Sequence, residues 1–92
     1  MGIHMTGKFA TSKAGHDKSQ LYVIVAEEED FVYLCDGKYR TVSKPKKKRK
    51  KHIQIIDRTV DAVLLEKLLK REKITDEQIK YAVKIYKQQY HI

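Results

Sequence analysis

The sequence holds a single cysteine, a single proline, four glycines and no tryptophan in 92 residues. One thiol permits no internal disulfide framework, so a reducing cytoplasm is the natural expectation. No apolar run approaches the roughly 18 residues needed to cross a bilayer, and the first residues lack the apolar stretch of a secretory leader. Catalytic signatures are also missing. His4, His16, His52 and His91 are scattered, and Cys35 has no partner at metal-ligand spacing. The acidic cluster Glu27-Glu28-Glu29-Asp30 lacks the glycine and oxygen-ligand spacing of a calcium loop, and reads as a solvated turn. No phosphate-binding glycine loop or nucleophile motif occurs. The expectation is a non-enzymatic protein with no metal, no cofactor, no small-molecule substrate and no membrane partner. Cys35 itself reads as a small, half-buried strand residue.

Positive charge is abundant, and it is unevenly placed. Lysine and arginine number 20 against 12 acidic residues, for a net charge of +8. Residues 1–43 sum to −1, residues 44–51 to +7 and residues 52–92 to +2. Nearly all the excess therefore sits in one octapeptide. A polyanionic partner is the simplest reason to keep so much charge in one place.

The periodicity of the chain changes once. Residues 1–6 read as an expression scar (Met1 to His4, before a native start at Met5) and a disordered beginning. Short apolar or β-branched segments follow at 9–12, 21–26, 31–35, 39–42 and 53–56, each bounded by turn residues. Asp36-Gly37 between two of them is a hairpin signal. Five short strands in about 50 residues predict a small barrel over 7–57, with the basic run 44–51 as one of its loops. From Val60 the spacing becomes helical. Val60, Val63, Leu64, Leu68 and Leu69 mark one stripe, broadened by Leu65, and Ile79, Ala82, Val83, Tyr86 and Tyr90 a second. Thr75 with Gln78 forms a capping box at the start of the second helix. The expected fold is thus mainly β with a helical appendage: a five-stranded barrel, then two short helices over 58–92 as a helical hairpin.

Two segments carry the chemistry. In the loop 13–19, Gly15 permits backbone conformations that other residues resist. Lys13, His16 and Lys18 are donors suited to phosphate, and Asp17 is placed to orient a neighbour or accept from a base edge. On these residues alone an ordinary polar turn serves equally well. The stretch GKFATSKAGHDKSQLYVIV (7–25) resembles a KOW motif: a short strand, a glycine-bearing loop and an apolar strand. More broadly, 7–57 resembles the small bacterial KOW-domain proteins akin to a group of archaeal and eukaryotic ribosomal proteins, through "SKAGHDK", "YLCDGKYR" and "KPKKKRKKH". Ser19 departs from the pattern, standing where related sequences usually have glycine. The resemblance implies an SH3-like barrel that binds RNA, often ribosomal RNA. It also implies that Lys13, Gly15, His16, Asp17 and Lys18 form the loop that meets RNA.

The second segment is Lys44-Pro45-Lys46-Lys47-Lys48-Arg49-Lys50-Lys51. Its cations repel one another and resist compact structure, and on RNA they would release counterions with little sequence choice. A solubilising loop and a nuclear localisation signal are the rival readings. Tyr39, between Lys38 and Arg40, is the best candidate for base stacking. Tyr22 and Tyr33 alternate along strands, open to core or surface, and read as structural; Tyr81, Tyr86 and Tyr90, at helical spacing, read as packing residues. The function expected is RNA binding by a ribosome-associated accessory or ribosomal-like protein, with ribosomal RNA and possibly ribosomal proteins as partners. The alternative is a protein-interaction adaptor of the translation or transcription machinery, using the barrel and the helices. DNA binding is weaker, because no helix face is rich in both arginine and asparagine.

Overall fold

Alternation of side chains along the strands sends the apolar residues of this chain to two different cores. The computed structural model describes residues 4–13 and 20–90. It contains β1 (Lys8–Ser12), β2 (Tyr22–Glu27), β3 (Phe31–Cys35), β4 (Lys46–Arg49), a 3₁₀ turn (Lys50–His52), β5 (Ile53–Thr59), α1 (Ala62–Leu69) and α2 (Asp76–Tyr90). The strands form one antiparallel sheet in the order β4-β3-β2-β1-β5. The architecture is mainly β with a helical appendage. None of the described helices is long and apolar enough to cross a membrane.

Phe9, Val23 and Cys35 alternate with Ala10, Tyr22, Ile24 and Leu34 along β1 to β3. The first set joins Leu21 and the helices in one cluster, where Leu64 and Leu68 of α1 meet Ile79, Ala82, Val83 and Tyr86 of α2. The second set joins Val32 and Ile53, drawn from β1, β2, β3 and β5. No helix contributes to this second cluster, so the sheet must curl to enclose it. Lys48 of β4 donates to Ser12 of β1. Those strands are three places apart, roughly 14 Å in a flat sheet, which a lysine does not span. Register shifts between Ile24 and Ala26 and between Lys8 and Phe9 supply the bend. β4 and β5 share no ladder; the 3₁₀ turn carries the chain between them. The expected barrel is therefore a strongly curled but unclosed sheet.

The fourth strand lies elsewhere than 39–42. Asp36 is buried, and its Oδ1 accepts from the backbone N–H groups of Lys38, Tyr39 and Arg40 at 2.8–2.9 Å. That carboxylate folds 38–40 into a turn and withdraws their amides from strand pairing. The simple Asp-Gly hairpin is thereby replaced by a long connection from β3 to β4. The basic run, expected to be a loop, supplies the strand. Its position at the sheet edge lets alternate charged side chains reach solvent.

The helices follow their local signals closely. Asp61 caps α1 by accepting from the Leu64 N–H at 2.9 Å. Thr75 and Gln78 form the reciprocal box that starts α2, at 2.8 and 3.2 Å. Phe9 and Tyr86 stack with ring centroids 4.7 Å apart. Three stripe residues depart from expectation. Val63, Leu69 and Tyr90 are 67%, 53% and 42% exposed, because the narrow contact with the sheet takes only part of each helix face. Tyr81, read as packing, is also exposed.

Candidate nucleic-acid interface

The pleat of β4 sorts the basic run into two functions. Phe31 pairs with Arg49, Val32 with Lys48, Tyr33 with Lys47 and Leu34 with Lys46. Since Val32 and Leu34 face the second cluster, Phe31 and Tyr33 lie on the other face of β3, half-buried, and the strand brings Lys47 and Arg49 beside them. The Lys47 ammonium lies 4.4 Å from the Phe31 ring centroid and 5.9 Å from that of Tyr33. The Arg49 guanidinium lies 5.0 Å from Phe31. Lys46 and Lys48 are half-buried on the opposite face, where Lys48 holds Ser12.

The acidic turn answers part of this charge. Lys47 lies 3.8 Å from Glu28, and Lys50 lies 3.6 Å from Glu27. Burial works against the Glu27 charge, but the Met5 and Thr6 N–H groups and Lys50 outweigh it and hold its carboxyl below the usual range. Tyr33 donates to Glu28, and that bond raises the phenol's affinity for its proton. Glu27 and Glu28, in a turn expected to be merely solvated, therefore brace both Met5 and Thr6 and the basic arm, residues 44–51. Lys44, Lys47, Arg49 and Lys51 remain exposed. Lys50 acts as a structural tie, and its backbone N–H donates to Asp30.

Two further sequence-predicted elements lie just past the ends of β1 and β3. Exposed Lys13 donates its backbone N–H to the His52 carbonyl at 3.0 Å, which sets this residue beside the end of the arm. The chain is next described at Gln20, whose amide donates to Asp36 Oδ2 at 2.7 Å. Gly15, His16, Asp17 and Lys18 lie outside the described residues. The turn held by Asp36 presents Tyr39 at 71% exposure, with the Lys38 ammonium 5.1 Å from its ring. Behind that turn, the Val42 N–H donates to Asp76 of α2 at 2.9 Å. Cys35 lies wholly buried rather than half-buried, and donates to the Thr41 carbonyl. Burial, then the nearby Asp76 and Asp36 carboxylates, push its thiol up to about 12.

The sequence alone does not single out Phe31, and it leaves Tyr33 open to core or surface. The signal is present in the alternation Phe31-Val32-Tyr33-Leu34, which must place two of the four outside. It is obscured as long as the arm is taken for a loop and not for the neighbouring strand. No family model matches the chain and no curated protein matches it.

Proposed function

We propose that this chain is a non-enzymatic RNA-binding protein, ribosome-associated and working in a reducing cytoplasm. The observation that carries the reading is the paired row of Lys47 and Arg49 over Phe31 and Tyr33 on an exposed sheet edge. Cations held over aromatic rings offer an RNA strand both of its needs. The ammonium and guanidinium groups swing to phosphates, and the uncovered rings take bases by stacking, a sequence-tolerant contribution of roughly 1–3 kcal/mol per base. Lys44 and Lys51 extend the phosphate contacts along the arm, and Lys13 lies beside its end. The Lys38-Tyr39-Arg40 turn repeats the same combination of cation and ring.

The test is RNA affinity across a salt series. Replacing Lys44, Lys47, Arg49 and Lys51 by glutamine should weaken binding to preferred and random RNA alike. It should also shrink the slope of log K against log salt by up to about 2.8, at roughly 0.7 per lost single-strand contact. Unchanged affinity and slope would sink the reading. Replacing Tyr39 by alanine should weaken preferred and random RNA alike, by roughly 1–3 kcal/mol for a lost stacked base, and leave the salt slope unchanged.

An adaptor reading has one observation of its own. A groove of about 330 Å³ between the end of β5 and α2 is lined by Arg58, Tyr81, Ile85 and Tyr90, and Tyr81 is 62% exposed. A protein complex that survives nuclease and high salt would favour it.

A further inference from the structure

Three lysines outside the arm share one flank of α2. Lys80, Lys84 and Lys87 recur at intervals of four and three residues, which stacks them along one side of a helix. The buried stripe Ile79, Val83 and Tyr86 fixes how α2 sits on the sheet, and this lays the lysine flank against the Asp36 turn. A groove of about 500 Å³ between them is lined by Lys38, Lys80, Lys84 and Lys87, with Gln20 and Asp36. The approach is close: a Cβ built on Gly37 would stand 2.8 Å from Lys80 Cγ and 2.5 Å from the Asp76 carbonyl oxygen.

The groove's carboxylate does not neutralise these lysines by contact. Asp36 is 5% exposed, its Oδ1 accepts three backbone N–H groups, and its Oδ2 accepts from Gln20. Among the described residues, the ion pairs are His4–Glu27, Lys8–Asp57, Lys47–Glu28, Lys50–Glu27 and Lys70–Glu66, none of which involves the groove. Four like charges gathered around one concavity repel each other and focus a positive potential into it.

The ligand follows from what the groove offers. The turn's amides are consumed by Asp36, so no cage of N–H groups is left to enclose a single phosphate. What remains is a row of flexible point charges, spread over about 10 Å of helix at 1.5 Å per residue. Such a row suits successive phosphates of a strand. Its place in the fold connects it to the arm. Lys13 bonds the arm's end at His52, and Gln20, where the chain is next described, bonds Asp36 in the groove wall.

We infer that the groove formed by Lys38, Lys80, Lys84 and Lys87 is a second phosphate-backbone site for the same RNA. The strand leaves the β4 edge and passes the end of the sheet where Lys13 and Gln20 lie, to reach α2. This rests on the RNA reading above, and the experiment separates the two.

Full-length protein is titrated with labelled polyuridylate across a salt series, as wild type and as three variants. These are Lys80→Gln/Lys84→Gln/Lys87→Gln, the same positions changed to arginine, and Lys47→Gln/Arg49→Gln/Lys51→Gln on the arm. The helix glutamine variant should bind about tenfold or more weakly at low salt, with a slope reduced by up to about 2. The arginine variant should keep wild-type affinity, because it keeps the charge. Amine acetylation read by mass spectrometry should show Lys80 and Lys84 of the wild type protected by polyuridylate, a result independent of whether any variant folds. An arm variant that weakens while the helix variant binds as wild type, with Lys80 and Lys84 labelled equally with and without RNA, overturns the groove and leaves the arm. Undiminished binding by both glutamine variants overturns the RNA reading itself.

Discussion

Asp36 and Gly37 show how two adjacent residues set the shape of a surface. The Asp36 carboxylate gathers three backbone N–H groups and turns residues 38–40 outward. Gly37 then permits the turn to lie against α2, because its φ of +82° and its missing side chain both suit the contact. A methyl group there would meet backbone at 2.5 Å and carry the roughly 1–2 kcal/mol penalty of left-handed backbone. Gly37→Ala should therefore lower stability by about 2–4 kcal/mol. Thermal unfolding followed by circular dichroism checks it, and a variant as stable as wild type would show that α2 does not clamp the turn. The same turn explains why 39–42 is not a strand. Asx-type capture is readable in an aspartate followed by glycine, but the hairpin signal of the same dipeptide points the other way.

At the scale of elements, α1 and α2 are held by most of each expected stripe. Leu64, Leu68, Ile79, Val83 and Tyr86 are buried against Phe9, Leu21, Val23 and Cys35, each contributing roughly 1.5–3 kcal/mol. Val63 lies outside this contact, in the first turn of α1. Val83→Asp should cost about 3 kcal/mol, since it sets an unpaired charge in a dry core. Val63→Asp should fall within about 0.5 kcal/mol of wild type, as an exposed acid in a helix's first turn. Denaturant unfolding of both gives the comparison. Equal losses would mean that α1 buries its whole stripe, in a second chain for instance. β4 makes the complementary point: a segment with almost no apolar character becomes a strand because β3 needs an edge partner.

For the whole molecule, the alkaline limb of stability is set partly by a buried thiol. Cys35 holds its proton in the folded chain up to about 12, against an ordinary value of 9.0. The unfolded chain loses that proton first. Its contribution is therefore complete below about pH 9 and is lost as pH rises towards 12. Cys35→Ser or Cys35→Ala should flatten this part of the curve, even if either lowers stability at neutral pH. Equilibrium unfolding from pH 8 upward tests it; an unchanged alkaline slope in both variants would refute the assignment. The buried thiol should also resist alkylating reagents until the molecule unfolds.

Local chemistry suffices for much of this protein. The strands at 9–12, 21–26, 31–35 and 53–56, the capping box at Thr75 and Gln78, and the switch from two-residue to helical periodicity all depend on neighbours in sequence. They are legible for that reason. Charge content by itself also marks the segment 44–51. What the sequence does not contain is the company each segment keeps. Whether Lys47 and Arg49 stand over Phe31 and Tyr33, whether Lys50 is tied to Glu27, and whether the α2 lysines face Lys38 are settled by sheet curl and helix docking. Those depend on burying two cores at once, a condition on the whole chain that no window of neighbouring residues expresses.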